Sequence, residues 1–582
     1  MGSDTIIRTP NLLYSSFVET GIDKELVEQF WNHVPLNLGE AMEYAVKLRN
    51  NLVDTHDRLE KLRKIMKTQL RKWGILTSLV EENIDRMGHG VVETGQQPMC
   101  LGGPSYILNK VACIWKMCEI GDSPKPAPLY YVADYDGVQN ELLNMWVPNN
   151  SPNGLLISLP ADTGLEGIPI YKMPTPPETW FREAVEKIRK NYSVLLKGVE
   201  QPVREVKLLN LDHALAILRN AYYSSENVSE WSIKILGSLF NLEADLGVPI
   251  LAFSMPEARR LFQPSYELLL SEPNRTRFIE GLNRAFETLK EAGYRPQIDL
   301  RDEDYVPFFL ECMNDACNRR RIELKYHGEP STSKAYLKGK CPSCEEEYSF
   351  SFQAEQPDLS EIVDWISPRV DSRQIVVNSV VPVLCHVGGP GETSYHAQVI
   401  PASRNLKIPF PIFVRYTRTF YNTPWNEKYA IELNNESQAT LTNKDLFSAL
   451  RRWVEARNAQ NPQRLVEAHL DIRKNIESTY ENLLKKLKNL EDENAFIGKR
   501  LREPGDRATL LNEIRTKQQL HEKIELYLSS AFGRFQPERF GQEVSYLWLD
   551  LATVSGVRDL LGVFLRQYNK YTPVSSMFFA NL

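Results

Sequence analysis

Four of the eight cysteines stand in two closely spaced pairs, which is the arrangement expected of a metal site. Cys312 and Cys317 form the first pair, and Cys341 and Cys344 form the second. Each pair can chelate one side of a tetrahedral ion, and this spacing is typical of a zinc ribbon. Four thiolates leave no coordination position open for a substrate, so the predicted zinc is structural. Disulfides or unrelated thiols are the alternative, but disulfides are rare in the cytosol.

Three adjacent arginines, Arg319, Arg320 and Arg321, follow the first cysteine pair and leave the role of the module open. A zinc ribbon with such a cluster can contact nucleic acid. The alternative is a solvated corner of the surface, which adjacent arginines usually form. A net charge of −6 over 582 residues argues against a chain-wide surface for nucleic acid. We therefore favour the solvated corner and do not expect nucleic acid to be a partner.

The other four cysteines, Cys100, Cys113, Cys118 and Cys385, show no paired spacing. A catalytic thiol needs a neighbouring group that lowers its pKa. His386 follows Cys385 directly, but neighbours along a strand point to opposite faces, so the two side chains should not face each other. We expect all four thiols to lie in the core.

A second group of candidate functional residues follows predicted strands. Residues 89–97 are predicted to form a strand and a polar turn, an apolar helix comes next, and residues 129–136 form a strand that ends in acids. Strand, turn, helix and strand within about 45 residues make a βαβ unit, which predicts a parallel sheet. Residues 248–253 and 382–387 are predicted to be further buried strands. Ligands bind outside the carboxyl ends of such strands, so the polar residues there are predicted to line one cleft.

The segment Gly388-Gly389-Pro390-Gly391-Glu392 follows its predicted strand immediately and precedes a predicted helix. Glycines let backbone approach a ligand closely, and free N–H groups at a helix start suit a phosphate or a carboxylate. The segment is neither a Walker loop nor a dinucleotide fingerprint. An ordinary tight turn is the alternative, but the similar segment Gly102-Gly103-Pro104 favours two loops that line one cleft.

The carboxyl-terminal third has a different pattern. From Ile472 to Leu490 apolar residues recur at alternating spacings of four and three, and a second such helix follows Pro504-Gly505. Two long amphipathic helices around a break predict an antiparallel coiled-coil hairpin, whose commonest use is dimerisation. No apolar run approaches the roughly 18 residues that cross a bilayer, and the amino terminus lacks a secretion signal. We expect a cytoplasmic homodimer that does not bind membranes.

Eight short segments, spread in order along nearly the whole chain, together carry a family resemblance. They are Thr94-Gly95-Gln96-Gln97, Gly102-Gly103-Pro104-x-Tyr106-x-x-x-Lys110, Tyr131 to Asp136, Gly293 to Gln297, Ile366-Ser367-Pro368-x-Val370, Val381 through Gly388-Gly389-Pro390-Gly391-Glu392-x-x-Tyr395-x-x-Gln398, Arg415-x-Thr417 and Phe535 to Arg539. In this order they resemble the bacillithiol-synthesis cysteine-adding enzymes (BshC). The resemblance implies an α/β fold with a Rossmann-like parallel-sheet core related to class I nucleotidyl-transferring ligases, with insertions and a dimerising coiled coil.

The resemblance and the patterns together predict five segments. They are residues 1–155 with amino-terminal helices and the first half of the core, 156–304 as a connecting and core segment, 305–352 as the zinc-ribbon-like insertion, 353–455 as the second half of the core with the GGPGE loop, and 456–582 as the coiled coil and a carboxyl-terminal return segment.

The implied activity is a carbon–nitrogen ligase that joins cysteine to the amine of glucosaminyl malate, or of a related amino-sugar conjugate, through an activated carboxyl group. ATP and magnesium are the cofactors that this scheme would use, beside the structural zinc. The residues implied in catalysis are Lys110, Asp136, Glu392 and Arg415. The residues implied in binding substrate or nucleotide are Thr94, Gly95, Gln96, Gln97, Gly102, Gly103, Tyr106, Gly388, Gly389, Gly391, Tyr395 and Gln398. A solvated helix residue is the alternative for Lys110, and a structural ion pair is the alternative for Arg415.

Two features depart from the family pattern. Gly137 stands where the family has a histidine, which removes a candidate general base or ligand. The cysteine module is extra to the pattern of the bacterial members. A diverged ligase or nucleotidyl transferase that acts on another thiol substrate or on RNA therefore stays open. A non-catalytic dimeric scaffold is a further alternative, which the clustered polar residues at strand ends argue against.

Overall fold

The computed structural model describes residues 8–582, apart from 50–55, 161–164, 330–332, 437, 439, 502–506 and 534–540. The helices are α1 Pro10–Thr20, α2 Lys24–Trp31, α3 Leu38–Arg49, α4 His56–Lys72, α5 Ser78–Arg86, α6 Tyr106–Ile120, α7 Asn140–Leu143, α8 Glu178–Leu195, α9 Gln201–Tyr223, α10 Val228–Gly237, α11 Pro256–Leu261, α12 Gln263–Leu270, α13 Asn274–Glu291, α14 Arg373–Asn378, α15 Pro390–Asn405, α16 Pro424–Asn435, α17 Asn443–Asn458, α18 Pro462–Arg500, α19 Arg507–Phe532, α20 Gln542–Ser545, α21 Trp548–Ser555 and α22 Gly562–Leu565. The strands are β1 Val91–Gln96, β2 Ala127–Val132, β3 Asn144–Val147, β4 Leu155–Ser158, β5 Ile250–Ala252, β6 Tyr305–Glu311, β7 Arg321–Glu329, β8 Lys334–Lys340, β9 Glu347–Gln353, β10 Ile366–Pro368, β11 Val383–Gly388, β12 Ile412–Arg415, β13 Arg418–Asn422 and β14 Met577–Asn581.

The core sheet has five parallel strands in the order β12-β11-β1-β2-β5. Every residue of β2 and β11 is buried, because helices cover both faces of a parallel sheet. Helix α6 packs on β1 and β2, and α15 packs on β11 and β12. The predicted parallel sheet is confirmed, and the strands predicted over 248–253 and 382–387 correspond to β5 and β11.

Strand β1 lies at the point where the strand order reverses. From β1 the chain adds β2 and β5 on one side, and it later adds β11 and β12 on the other side. Connections that leave in opposite directions open a crevice at the carboxyl ends of the strands, where ligands of α/β proteins bind. The topology therefore directs the search for a site to the ends of β1, β2 and β11.

A second sheet is antiparallel, with the order β10-β6-β7-β8-β9. The two cysteine pairs occupy its turns, the first between β6 and β7 and the second between β8 and β9. Strand β10 pairs with β6 but lies beyond the segment 305–352 that we predicted as the insertion. The cysteine module is therefore continuous with the chain that leads back into the core sheet.

The carboxyl-terminal helices pack around the long helix α18, which contacts α17 and α19. Its buried apolar positions include Ile472, Ile476, Leu483, Leu487 and Leu490, as the spacing predicts. The predicted break at residues 504–505 and the motif at 535–539 lie outside the described residues. The end of the chain returns to the core, where β14 pairs with β13. Among the described residues, no helix combines the length and the apolar character needed to cross a membrane.

Candidate active site

A cavity of about 1180 Å³ opens at the carboxyl ends of the core strands. Gln96 and Gln97 line it at the end of β1, and Asp136 lines it after β2. Glu392, from the first turn of α15, lines the same cavity after β11. The two turns around Gln96 and Glu392, which are far apart in sequence, thus form one wall.

A buried ion pair joins Lys110 to Glu392 at the edge of this cavity. The Lys110 side chain, from the second turn of α6, is only 1% exposed. Its Nζ donates to the Gly95 carbonyl at 2.8 Å and to Glu392 Oε2 at 2.8 Å. The alternative of a solvated helix residue is therefore wrong for Lys110.

The charges around Glu392 keep it ionised. Burial alone would raise the pKa of Glu392, but Lys110 and His386 hold it below its usual range. Burial also lowers the pKa of Lys110, and the carboxylate of Glu392 opposes that effect. The cavity wall therefore carries an anionic carboxylate that is fixed from behind by an ammonium group.

The GGPGE segment is a helix start whose glutamate caps its own helix. Pro390 stands in the first turn, and Glu392 Oε2 accepts the Gly389 N–H at 2.6 Å. The Gly389 N–H is therefore not free for a ligand, contrary to the sequence interpretation. Gly389 and Gly391 line the cavity. Gly388 packs below it, because a side chain there would meet the ring of Phe413 at 2.8 Å.

Two residues that were not among the predicted site residues, Glu93 and His386, extend the Lys110–Glu392 ion pair. Glu93 on β1 lies opposite His386 on β11. Nδ1 of His386 contacts Glu93 Oε1 at 3.0 Å, and its Nε2 lies 3.5 Å from Glu392 Oε1. Burial disfavours the charged imidazole, but the hydrogen bonds to Glu392 and Glu93 outweigh burial and raise the pKa of His386. A continuous row Glu93–His386–Glu392–Lys110 results.

The alternation of side chains between the two faces of a strand is the sequence signal that could have identified His386. Cys385 is buried on the other face of β11, where its Sγ lies 3.9 Å from the Ala41 carbonyl. Its neighbour in the strand must therefore face the opposite side. His386 was considered only as a partner for Cys385, and not as a group that lines the cavity. The expectation that the four unpaired cysteines are buried is confirmed, and burial raises the pKa of each of these thiols.

Asp136 lies between a glutamine and two arginines. Its Oδ2 accepts a hydrogen bond from Gln97 Nε2 at 3.1 Å. Arg321 and Arg373 lie 3.6 and 3.9 Å from its carboxylate oxygens. Arg373 also donates to the hydroxyl of Tyr395 at 3.0 Å.

The three adjacent arginines do not form a solvated corner. Arg319 donates to the buried Glu311 and stacks over Trp365, with 3.7 Å to the ring centre. Arg320 donates to the Glu166 carbonyl, and Arg321 reaches the cavity wall. The preference for a solvated corner is therefore wrong.

Several predicted site residues lie away from the cavity. Thr94 is buried and donates to the Val387 carbonyl at 2.7 Å, which ties β1 to β11. Gln398 binds the backbone of Gln297 and Ile298. Gly102 and Gly103 are buried with φ of +83° and +85°, and a side chain on Gly102 would meet Ile235 at 2.8 Å. We assign these four residues and Gly388 to packing.

The remaining predicted residues do line the cavity, namely Gly95, Tyr106, Tyr395 and Arg415. Arg415 is partly buried and donates to the hydroxyl oxygens of Ser15 and Ser575. Burial lowers the pKa of Arg415 to about 10, and the neighbouring charge of Arg418 adds to this. The nearby carboxylate of Glu543 pairs with Arg418 instead, and no ion pair of Arg415 is found within the described residues, so the structural ion-pair alternative is not supported.

The four paired cysteines form a second candidate site, outside the cavity. Their Sγ atoms all lie within 4.8 Å of one another. The Sγ distances are 3.7 Å for Cys312–Cys344 and 3.9 Å for Cys317–Cys341. A tetrahedral zinc with Zn–S bonds of about 2.3 Å places its sulfurs about 3.8 Å apart. Burial would raise the pKa of the Cys341 thiol, but N–H groups of Cys344 and Ser343 lower it to about 7. This group can hold a metal ion.

Glu93→Gln is expected to lower the pKa of His386, because a neutral amide replaces the carboxylate on Nδ1. Proton titration of labelled histidine rings by NMR measures it. The pKa of His386 in the folded protein lies above the ordinary 6.5, so its pairing stabilises the fold fully below pH 6.5 and is lost as pH rises through the folded pKa. The stability difference between the parent protein and Glu93→Gln should therefore shrink toward alkaline pH.

Glu119→Gln is the matched control, since Glu119 is a partly exposed glutamate that pairs with Lys116 on α6. It should leave the titration of His386 unchanged. An unaltered pKa of His386 in Glu93→Gln would contradict the proposed charge coupling.

Comparison with known proteins agrees with the geometry. The family model described as Bacillithiol biosynthesis BshC, N-terminal Rossmann-like domain, matches residues 171–417. A protein of Carboxydothermus hydrogenoformans with the provisional name cysteine ligase BshC is 24% identical over 410 residues, which cover 69% of this chain and 67% of that protein. Two proteins of Bacillus cereus with the same name are 24% and 22% identical; the matches cover 57% and 77% of this chain and 55% and 76% of those proteins. The resemblance predicted from the motifs is confirmed.

Proposed function

We propose that this chain is a cysteine ligase of the bacillithiol-synthesis type. It joins the carboxyl group of cysteine to the amine of glucosaminyl malate or of a related amino-sugar conjugate. The observation that carries the proposal is the buried row Glu93–His386–Glu392–Lys110 on the wall of a crevice at the strand-order reversal. The similarity to proteins that are named cysteine ligases supports it.

The cavity offers the groups that amide formation in water needs. ATP would activate the cysteine carboxyl group, and the acceptor amine would then displace the activating group. Glu392 is ionised and keeps lone pairs for the ammonium group of cysteine or for a magnesium ion. Arg373 and Arg415 line the cavity as cations and can stabilise negative charge that develops on the activated carboxyl group.

Hydrogen-bonding side chains and one carboxylate complete this assignment. Gln96, Gln97 and Tyr395 line the cavity and can orient a polar substrate. Asp136 is the candidate acceptor for the proton that the attacking amine must lose. Gly137, which replaces the family histidine, cannot take that role.

The direct test incubates the purified chain with ATP, magnesium, cysteine and glucosaminyl malate and detects the amide product by mass spectrometry. The expected result is a product that requires both ATP and cysteine. Asp136→Asn should lower the rate, most strongly at low pH, where less of the amine is free. Absence of product with the folded protein would contradict glucosaminyl malate as the substrate that accepts cysteine.

A diverged acceptor specificity is the second candidate, and one observation favours it. A Cβ on Gly137 would lie 3.9 Å from a guanidinium nitrogen of Arg321, so the arginine occupies space beside the missing side chain. Cysteine-dependent release of the ATP leaving group with other amino sugars, but not with glucosaminyl malate, would select this candidate. The inward contacts of Arg319 and Arg320 argue against an RNA substrate.

We further propose a structural zinc in a ribbon-like module and a homodimer through α18 and α19. The distances among the four Sγ atoms support the zinc. Phe496 on α18 and Leu511 on α19 are 61% and 50% exposed, which supports a helix-mediated contact with a second copy of the chain. None of the eight cysteines, all of which lie in the described part of the chain, forms a disulfide, which suits a reducing compartment and is in keeping with a cytoplasmic enzyme.

A further inference from the structure

The first cysteine turn leads directly into the active-site cavity. The Arg320 N–H donates to the Cys317 carbonyl at 3.0 Å, and the Cys312 N–H donates to the Arg320 carbonyl at 2.8 Å. Arg321 is the next residue and begins β7. The backbone position of Arg321 is therefore set by Arg320, whose backbone is hydrogen-bonded to both cysteines of the first pair.

The side chain of Arg321 is held at the cavity wall without a complete set of partners. Its guanidinium stacks over the Phe309 ring, with 3.9 Å to the ring centre, and is 15% exposed. It lies 3.6 Å from Asp136 Oδ1, which is beyond hydrogen-bond distance. Among the described residues, its buried Nε has no hydrogen-bond partner. The terminal N–H groups form no hydrogen bond to Asp136 and therefore keep donors for a ligand.

Two more arginines lie beside it. Arg369 stacks over the same Phe309 ring with 4.1 Å to the ring centre, and Arg373 lies 3.9 Å from the second carboxylate oxygen of Asp136. Arg369 pairs with Glu323, which is 57% exposed, so solvent screens that partner. The three guanidiniums thus carry more positive charge than Asp136 offsets. Guanidinium groups favour carboxylates and phosphates, which they bind through paired N–H groups.

Gly137 makes room for this arrangement. A Cβ at that position would lie 3.5 Å from Gly167 and 3.9 Å from Arg321. The Arg321 N–H also donates to the Gly167 carbonyl at 2.9 Å. A larger side chain at 137 would therefore extend toward the space that the guanidinium fills.

We propose that Arg321 binds a doubly charged anionic group of the substrate in the cavity, and that a metal ion on the four paired cysteines holds Arg321 in place. The cysteine module then contributes to the active site as well as to the fold. This inference rests on the proposed function in one respect, that the cavity is the substrate site. The ligand is a dicarboxylate or a phosphoryl group, which share the geometry that guanidinium recognises.

The test measures anion affinity by titration calorimetry on the metal-loaded protein, with sodium succinate and inorganic phosphate as separate probes. Arg321→Gln is expected to weaken binding of the preferred probe about tenfold while the metal content stays unchanged. Lys325→Gln removes the same charge from the same strand, at a partly exposed site paired with Asp304, and should leave binding unchanged. Succinate binding alone assigns a dicarboxylate, and phosphate binding alone assigns a phosphoryl group.

A double-mutant cycle tests the coupling to the metal. Cys341→Ser should lower the metal content and weaken binding of the same probe by about the same factor as Arg321→Gln. The double variant should then bind no more than about twofold weaker than either single variant, because both act through one guanidinium. Metal removed from the parent protein by a chelator, and then restored, provides the same comparison where Cys341→Ser does not fold.

Three results would overturn the proposal. They are no measurable binding of either probe by the parent protein, full binding by Arg321→Gln, and losses that multiply in the double variant. Because anion binding needs no turnover, it can be interpreted even if the ligation assay with glucosaminyl malate gives no product.

Discussion

Lys110→Met is expected to lower kcat for ligation at least about 100-fold, which is the scale of losing one preorganised charged group in a buried site. The ammonium group neutralises Glu392 from behind and fixes it against the Gly95 carbonyl. Without it, Glu392 keeps the contact with His386, but its orientation at the cavity wall is lost. Initial rates at saturating ATP, cysteine and acceptor measure the effect.

The same change threatens stability, so the two effects must be separated. Breaking a buried ion pair by removing one partner costs about 3–5 kcal/mol, because the other charge stays buried. Lys110→Met with Glu392→Gln removes both charges and should regain much of the free energy of unfolding, while activity stays low. A double variant that is stable but inactive would show that the ion pair is needed for the reaction and not only for stability.

Lys116→Met is the matched control for Lys110→Met. Lys116 lies on the same helix, is partly exposed and pairs with Glu119. It should change neither the rate nor the melting temperature appreciably. A folded Lys110→Met protein with normal kcat would refute the catalytic role of the ammonium group.

Local sequence signals were enough to place the strands and the polar residues that follow them. The apolar runs at 248–253 and 382–387 are buried strands because a parallel sheet needs apolar residues on both faces. Gln96, Asp136 and Glu392 share a cavity because carboxyl ends of parallel strands meet at one edge. The cysteine spacing likewise predicted four converging thiols.

Contacts that depend on strand register or on distant segments could not be read in the same way. Glu93 faces His386 only because β1 pairs with β11 in one register, and nothing local encodes that pairing. The N–H of Gly389 was expected to be free, but the side chain of Glu392 turns back to it. Arg321 reaches the cavity because the start of β7 lies beside the turn that follows β2, where Arg321 is 3.6 Å from Asp136. Such tertiary contacts decide which polar residues bind substrate and which pack.

Metal removal is expected to have the largest effect on stability, and the effect should be local. A structural zinc contributes about 10–16 kcal/mol of binding free energy, which is folding free energy for the segment that it closes. The apo protein should exchange amide hydrogens at least about 100-fold faster at the two cysteine turns and in β8 and β9. Strands β1, β2 and β11 should keep their protection, since the metal closes none of their turns.

The gradient within the second sheet makes this expectation specific. Strand β9 is the outer edge and pairs with β8, whereas β6 lies between β10 and β7 and also contacts α12. Protection should therefore fall more at β9 than at β6. Hydrogen exchange by mass spectrometry, combined with metal content, measures both. Cys344→Ser should reproduce the apo pattern, and Cys118→Ser, the same substitution at a buried cysteine outside the group, should retain the metal. Equal protection with and without metal would show that packing alone holds the module, because its ligands would then already be ordered without the ion.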